Sequence, residues 1–402
     1  MLHLIQKKED ETSTSTLHDT ILPMYVLTPY IANEVYYIAG VNNVSTMIYS
    51  ILIAMMLLMA LCRIDHYLKK CDVVYPILFA SMIMILLFRK PYYSSVSLQQ
   101  VAVFILVPFL LFADEHDALT TLRWFLRFSV LLLPTSILLM NTKDEALRMT
   151  FSYALATPAV AAIMLYRCDD TRKRIMDKAL VGIGFYYFIM LLLFGKRGPV
   201  LVVLVGMILS YVKVRNNSGK LTTRQILRLL ALVLAVIFAV NNYVLILEYI
   251  LSVTRRLFGI EATSIIRTLT LSSSEYSIDS GRANLYKEAW RQFSESPVIG
   301  HGLGSFYYMY SNGITVTYPH NLLLELLDDG GIVFMLATIL PISACFIKSL
   351  YSSQYYPSIL YLFLFSIAIP HFLVSTSIYD QPDVWCLLCC SHYLMSQRSF
   401  VS

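Results

Sequence analysis

Charge is what this chain has least of. Only 14% of its 402 residues are Asp, Glu, Lys or Arg, where a soluble domain carries about a quarter. Hydrophobic residues make up 57%, and the mean hydropathy is +0.64. This balance excludes an ordinary soluble enzyme and points to an integral membrane protein. Glycine and proline, at 15 and 14 residues, are too few for a fibrous or low-complexity chain. Lys and Arg form no run interleaved with aromatics, so the net charge of +5 is not the footprint of a nucleic-acid binder. None of the seven cysteines falls in the polar stretch 250–325, which argues against a disulfide framework. Cys386 and Cys389 form a CxxC inside the apolar "VWCLLCCSHYLM" and read as small helix residues. No second Cys pair or His cluster offers metal ligands. The N-terminal "MLHLIQKKEDETSTSTLHDT" lacks the apolar core and cleavage site of a signal peptide, and reads as a short flexible cytoplasmic tail.

What is present is a series of long apolar runs. A spanning helix needs roughly 17–25 such residues. Candidates lie near 21–40, 44–62, 73–88, 99–114, 123–141, 149–166, 179–195, 198–213, 227–248, 331–350, 356–373 and 383–396, about twelve in all. With the N-terminus inside, the three most basic loops, "CRIDHYLKK", "RCDDTRKRIMDK" and "KVRNNSGKLTTRQILR", all fall on the cytoplasmic side, as the positive-inside rule requires. The short loops "RKPYY", "NTKDEALR" and "KRGP" fall on the other side, with the long segment 249–330 and the late "PHFLVSTSIYDQPD". The expectation is an all-α integral membrane protein of about twelve spans with one large external loop carrying short amphipathic helices. Its divisions are a tail 1–20, spans over 21–248, the loop 249–330, spans over 331–396 and a tail 397–402.

Within 249–330, "GRANLYKEAWRQFSES" places Arg282, Leu285, Ala289 and Phe293 on one helical face. That pattern suits a helix lying at a membrane surface, capped by Asp279 or Ser280. Pro297 and the turn "GHGLGS" end it. The turn lacks the Lys-Ser/Thr of a phosphate loop and reads as a place of close backbone approach. A second short helix is expected to begin just after Pro319 and to stop at Gly330–Gly331.

The chemistry-bearing residues cluster on this side. His320 is expected in the first turn of that second helix, where the helix dipole favours a neutral imidazole able to take a proton. The plain alternative is an interfacial His capping its own helix. Arg197, beside Lys196 in "FGKRGPV", reads as an anion clamp or as an interfacial anchor. Arg282, at a helix N-terminus, reads as an anion contact or a solvated surface residue. Arg267, with Arg255 and Arg256, reads as a headgroup contact. Tyr318 and its neighbouring tyrosines suit sugar stacking or an aromatic belt. Glu325, Asp328 and Asp329 are placed to orient His320 or to act as acids, the two Asp more simply forming the helix-ending turn. A base and Arg clamps beside a lipid surface imply a lipid-linked phosphate substrate. A polysaccharide flippase is the rival from another class, but transporters hold their polar residues near the midplane. Here they gather in one external insertion.

"SGRANLYKEAWRQFSESPVIGHGLGSF" followed by "YPHNLLLELLDDGGIVFMLATILP" resembles the core of the bacterial O-antigen polymerase and O-antigen ligase family, of the Wzy type. "KRGP" resembles that family's basic-Gly motif, and "YDQPDVW" its tail. The resemblance covers roughly residues 180–385. It implies an inner-membrane enzyme working at the periplasmic face on oligosaccharides linked to undecaprenyl pyrophosphate. The implied reaction is inverting, metal-independent glycosyl transfer with no cofactor. His320 would activate the acceptor hydroxyl, and Arg197 and Arg282 would hold the pyrophosphate, with Asn321 following the His as the pattern expects. A polymerase adds the glycan to the next lipid-linked repeat, and a ligase moves it to lipid A–core. The adjacent Gly330–Gly331 and the lack of a long basic run lean towards the polymerase. A chain-length regulator and a flippase are the implied partners.

Overall fold

The computed structural model describes residues 2–40, 50, 74–94, 96–111, 116–142, 144–168, 175–214, 243–258, 266, 282–310, 313, 315–352, 355–374 and 377–396. These residues are helical almost throughout, as lipid demands of backbone that must satisfy its own polar groups. The helices are α1 (Leu2–Ala39), α2 (Val74–Phe88), α3 (Val107–Leu111, entered through π-helical Val101–Leu106), α4 (Ala118–Ser129) and α5 (Leu133–Asn141). They continue with α6 (Glu145–Cys168), α7 (Ile175–Phe194), α8 (Arg197–Val214), α9 (Tyr243–Phe258), α10 (Arg282–Glu295), α11 (Leu322–Tyr351), α12 (Tyr355–Val374) and α13 (Asp383–Ser396). Two short antiparallel strands, β1 (Tyr308–Met309) and β2 (Thr315–Val316), form a hairpin between α10 and α11.

Five helices among the described residues are long and apolar enough to cross a membrane: Ala118–Asn141, Leu147–Arg167, Met176–Phe194, Leu322–Tyr351 and Tyr356–Leu373. Val74–Phe88, Leu98–Phe109 and Gly198–Lys213 are shorter apolar helices. All but residue 50 of the expected span 44–62, and most of 227–248, lie outside the described residues. Residues 2–20, read from their polarity as a flexible tail, continue the helix of α1.

Small residues let the central helices approach closely, which is how helices associate where lipid removes the hydrophobic drive. Ala154, Ala156, Ala159, Ala161 and Ala162 of α6 are buried. A Cβ at Gly184 of α7 would stand 2.2 Å from the Ala162 side chain, and one at Gly206 of α8 would stand 2.6 Å from Val160. A second packed centre is aromatic. Trp385 of α13 meets Phe79 of α2 and Phe334 of α11 at ring separations of 6.0 and 6.3 Å.

Contacts at the helix ends sort the chain into two ends of a bundle. Lys213, near the C-terminus of α8, donates to the carbonyls of Ser349 and Ser352 at 2.8 and 2.7 Å, which places the C-termini of α8 and α11 together. At the opposite end, Arg89 donates to the Gly300 carbonyl at 3.0 Å and Tyr93 to that of Ser305 at 2.9 Å. The turn after α2 therefore holds the segment that leads to His320.

Candidate functional site

The site is built around the N-terminus of α11. Asn321 is its N-cap, and its side-chain oxygen accepts from the amides of Leu323 and Leu324 at 3.0 and 3.3 Å. His320 therefore precedes the cap instead of sitting in the first helical turn. Among the described residues it is the only non-glycine with a positive φ, at 55°. Such backbone is costly for a side chain with a Cβ and collects at functional sites. The half-buried imidazole packs against the Tyr318 ring at 4.2 Å between centroids.

Arg282 is the first residue of α10 and is half-buried. It lies close enough to Tyr318 to act on it electrostatically, as do Asp380 and Glu325. Burial, reinforced by Asp380 and Glu325 and opposed by Arg282, pushes the Tyr318 phenol up to about 12. The ring thus stays a neutral hydroxyl between a cation and the His. Arg282, remote in sequence, is thus brought beside the neighbouring pair Tyr318 and His320.

The carboxylates are arranged differently. Glu325 is 2% exposed, and its oxygens accept from the Ser377 hydroxyl and from the Ile378 amide, the latter at 3.2 Å. It tethers the 377–382 loop. Asp328 and Asp329 occupy the last turn before Gly331, where α11 kinks. Gly331 has φ 65° and ψ −164°, a backbone region open only to glycine. The helix then continues past the expected stop because the amides of Ile332 and Val333 donate to the carbonyls of Pro297 and Val298 at 2.9 and 3.3 Å. The "GHGLGS" turn is the close approach its glycines suggest. A Cβ on Gly300 would stand 2.4 Å from the Asp329 carbonyl.

Arg197 is the first residue of α8, and the bridge made by Lys213 directs that N-terminus towards the end of the bundle that carries His320. The Lys196 amide donates to the Ser152 hydroxyl at 3.2 Å. Arg267 and the expected caps Asp279 and Ser280 lie outside the described residues. The apolar face of α10 meets protein. Leu285 and Ala289 pack with Phe306, and Tyr308, Tyr310 and Leu324 close around them.

Residues 182–339 match the family model Wzy_C, described as O-antigen ligase. That segment belongs to the O-antigen ligase family. No curated protein and no solved structure matches the chain. The family segment contains Arg197, Arg282, Tyr318 and His320, and the Asp328–Asp329 pair.

One residue of the site lies beyond that segment. Asp380 is exposed by area yet crowded by protein on its other sides, and the lost hydration raises its carboxyl to about 6. Sequence reasoning passed over it. Its only signal is its place in "YDQPDVW", a string that reads first as turn chemistry.

Proposed function

We propose that this chain is a member of the O-antigen ligase family and acts as a repeat-unit polymerase. It would move a growing glycan from undecaprenyl pyrophosphate to the sugar of an incoming lipid-linked repeat, at the periplasmic face of the inner membrane. The observation that carries the glycosyl-transfer reading is the meeting of Arg282, Tyr318 and His320 beside the N-terminus of α11, and the adjacent Gly330–Gly331 leans it towards the polymerase.

In this reaction the His320 imidazole takes the proton of an acceptor hydroxyl. The oxygen attacks the anomeric carbon from the face opposite the pyrophosphate, which inverts that centre. The carbon–oxygen bond to the pyrophosphate breaks, and its electron pair leaves with the phosphate. Arg282, with Arg197 from the N-terminus of α8, stabilises the charge that develops there. The left-handed backbone at His320 holds the ring against Tyr318, outside the helix proper. The Asp380 carboxylate of the 377–382 loop suits a hydroxyl of the sugar.

A ligase reading uses the same chemistry with lipid A–core as acceptor, and it is supported by the family's description as O-antigen ligase. The glycan profile of the native host carrying His320→Ala, with expression of the variant verified, separates the two. The expected result is a single repeat unit on lipid A–core and no ladder, with transfer reduced at least about 100-fold, as removal of a general base does. Long chains stranded on the lipid carrier would make the protein a ligase. An unchanged ladder would remove His320 from the chemistry.

A further inference from the structure

A polar junction that this mechanism does not use joins the 300–305 turn to α11. Asp328 and Asp329 are both 0% exposed, and Ser305 is 2% exposed. The Ser305 hydroxyl oxygen stands 2.9 Å from Asp328 Oδ2 and 3.1 Å from Asp329 Oδ1. A serine hydroxyl has a single hydrogen to give. It satisfies one of these contacts, and the other needs a hydrogen from elsewhere. Without one, two oxygens would face each other in a buried place, which is costly.

The neighbours decide where the missing hydrogen sits. Asp329 Oδ1 also receives the Ser305 amide at 3.1 Å, and Asp329 Oδ2 receives the Tyr379 hydroxyl. Burial, and then Asp329, push the Tyr379 phenol up, so it stays a donor. Asp329 is therefore well supplied as an anion, and Asp328 is not. Glu288 and Glu295 of α10 act on Asp328 with the wrong sign, and Arg291 beside them is engaged by both. Glu325, on the same helix, is bound to the 377–382 loop. The His301 ring nitrogen Nδ1 stands 3.5 Å from Asp328 Oδ1, beyond a good hydrogen bond.

We propose that Asp328, Ser305 and Asp329 share a proton, and that they are positioning residues for glycosyl transfer. Asp328 donates to the Ser305 oxygen, and the Ser305 hydroxyl donates to Asp329. This chain fastens the turn to the α11 kink. α10, which begins at Arg282, runs into the turn from one side, and the hairpin leaving it ends at Tyr318 and His320. Loss of the proton leaves adjacent carboxylates short of a donor, and the two halves of the site loosen.

The positioning role rests on the glycosyl-transfer reading, whereas the proton itself does not. Infrared difference spectra of the full chain in lipid nanodiscs, wild type against Asp328→Asn, test the proton directly. The expected result is a protonated-carboxyl band at neutral pH that Asp328→Asn removes. Absence of that band, or its survival in the variant, overturns the proposal. The second measurement is the pH–rate profile. Asn carries a fixed donor to Ser305, so Asp328→Asn is expected to keep neutral activity and to lose the alkaline fall of the wild type. Ser305→Ala is expected to lower transfer on the order of tenfold, the cost of unpaired buried groups. A wild-type alkaline fall retained in Asp328→Asn overturns the positioning role even where the band behaves as expected. An inactive site in which His320→Ala changes nothing overturns the function and leaves the proton standing.

Discussion

The two halves of α11, on either side of Gly331, are held in place by different physics. Residues 322–330 bury Glu325, Asp328 and Asp329, and each of these carboxylates has hydrogen-bond partners on other segments. Beyond the kink, Phe334, Thr338, Ile342, Cys345 and Ser349 form a buried stripe, while Ile332, Val333, Leu336, Leu340 and Ile347 are exposed. That second half is apolar all round, as suits a helix with protein on one side and lipid on the other. The first half is specific, because few alternative partners satisfy a buried carboxylate. The second is permissive, because lipid accepts any apolar side chain. On the proposed reading, substitution is most damaging in the polar half, next to His320.

The kink itself is the place to break that comparison with the largest effect. Gly331→Ala puts a Cβ at φ 65°, 2.4 Å from the Val298 carbonyl carbon. The backbone strain and the clash together cost about 3 kcal/mol or more. The same change releases the Ile332 and Val333 amides from Pro297 and Val298. The expected outcome is loss of the glycan ladder together with a large drop in the thermal midpoint of the purified protein. A ladder at wild-type level would show that the two halves need no fixed angle between them.

A smaller effect is expected at Asp380, and it depends on pH. Its carboxyl is raised to about 6 from an ordinary value near 3.8. The fold thus disfavours the ionised form. This costs nothing below the unfolded value, grows as pH rises through the window between the two, and levels off above about pH 6. Asp380→Asn is therefore expected to raise the thermal midpoint above pH 6 and to leave it unchanged near pH 4. If Asp380 also holds a sugar hydroxyl, the same variant raises KM more than it lowers kcat. A midpoint gain that is equal at both pH values would assign the effect to something other than the charge.

Most of the helices were legible because lipid imposes a simple rule on composition. The expected spans 73–88, 198–213, 356–373 and 383–396 coincide with α2, α8, α12 and α13 to within a residue or two. Arg282, Tyr318 and His320 were legible as types: a cation at a helix start, an aromatic, and a His at a helix entry, expected one turn too far in. Their convergence was not, since it depends on the hairpin and on the packing of Phe306 under α10. The left-handed backbone of His320 has no local signature, because the neighbouring Pro319 and Asn321 fit an ordinary helix entry. Gly330–Gly331 read as a helix stop because local propensity cannot see the Pro297 and Val298 carbonyls that let the helix go on. Asp380 and Ser305 were missed for the same reason: each gains its role from a partner many residues away.

The smallest effect is expected on the permissive side of the comparison, at Leu340. Its side chain is 58% exposed, on the face of α11 opposite the buried stripe of Thr338 and Ile342. In water such a residue would be a liability, but here its surroundings are acyl chains as apolar as itself. Leu340→Ala removes contacts with lipid that the unfolded, membrane-inserted helix would also make, so the two states lose nearly the same amount. Substitutions away from packed or hydrogen-bonded positions fall within about ±0.5 kcal/mol. The glycan ladder and the thermal midpoint are expected to match wild type. Thr338→Leu, two residues away on the buried stripe, is the contrast: Thr338 is 0% exposed, and added volume there forces the neighbouring helices apart at about 1–3 kcal/mol. If Leu340→Ala proves as damaging as Thr338→Leu, that face meets protein, a second copy or a partner chain, and the division of α11 into a specific and a permissive half must be redrawn.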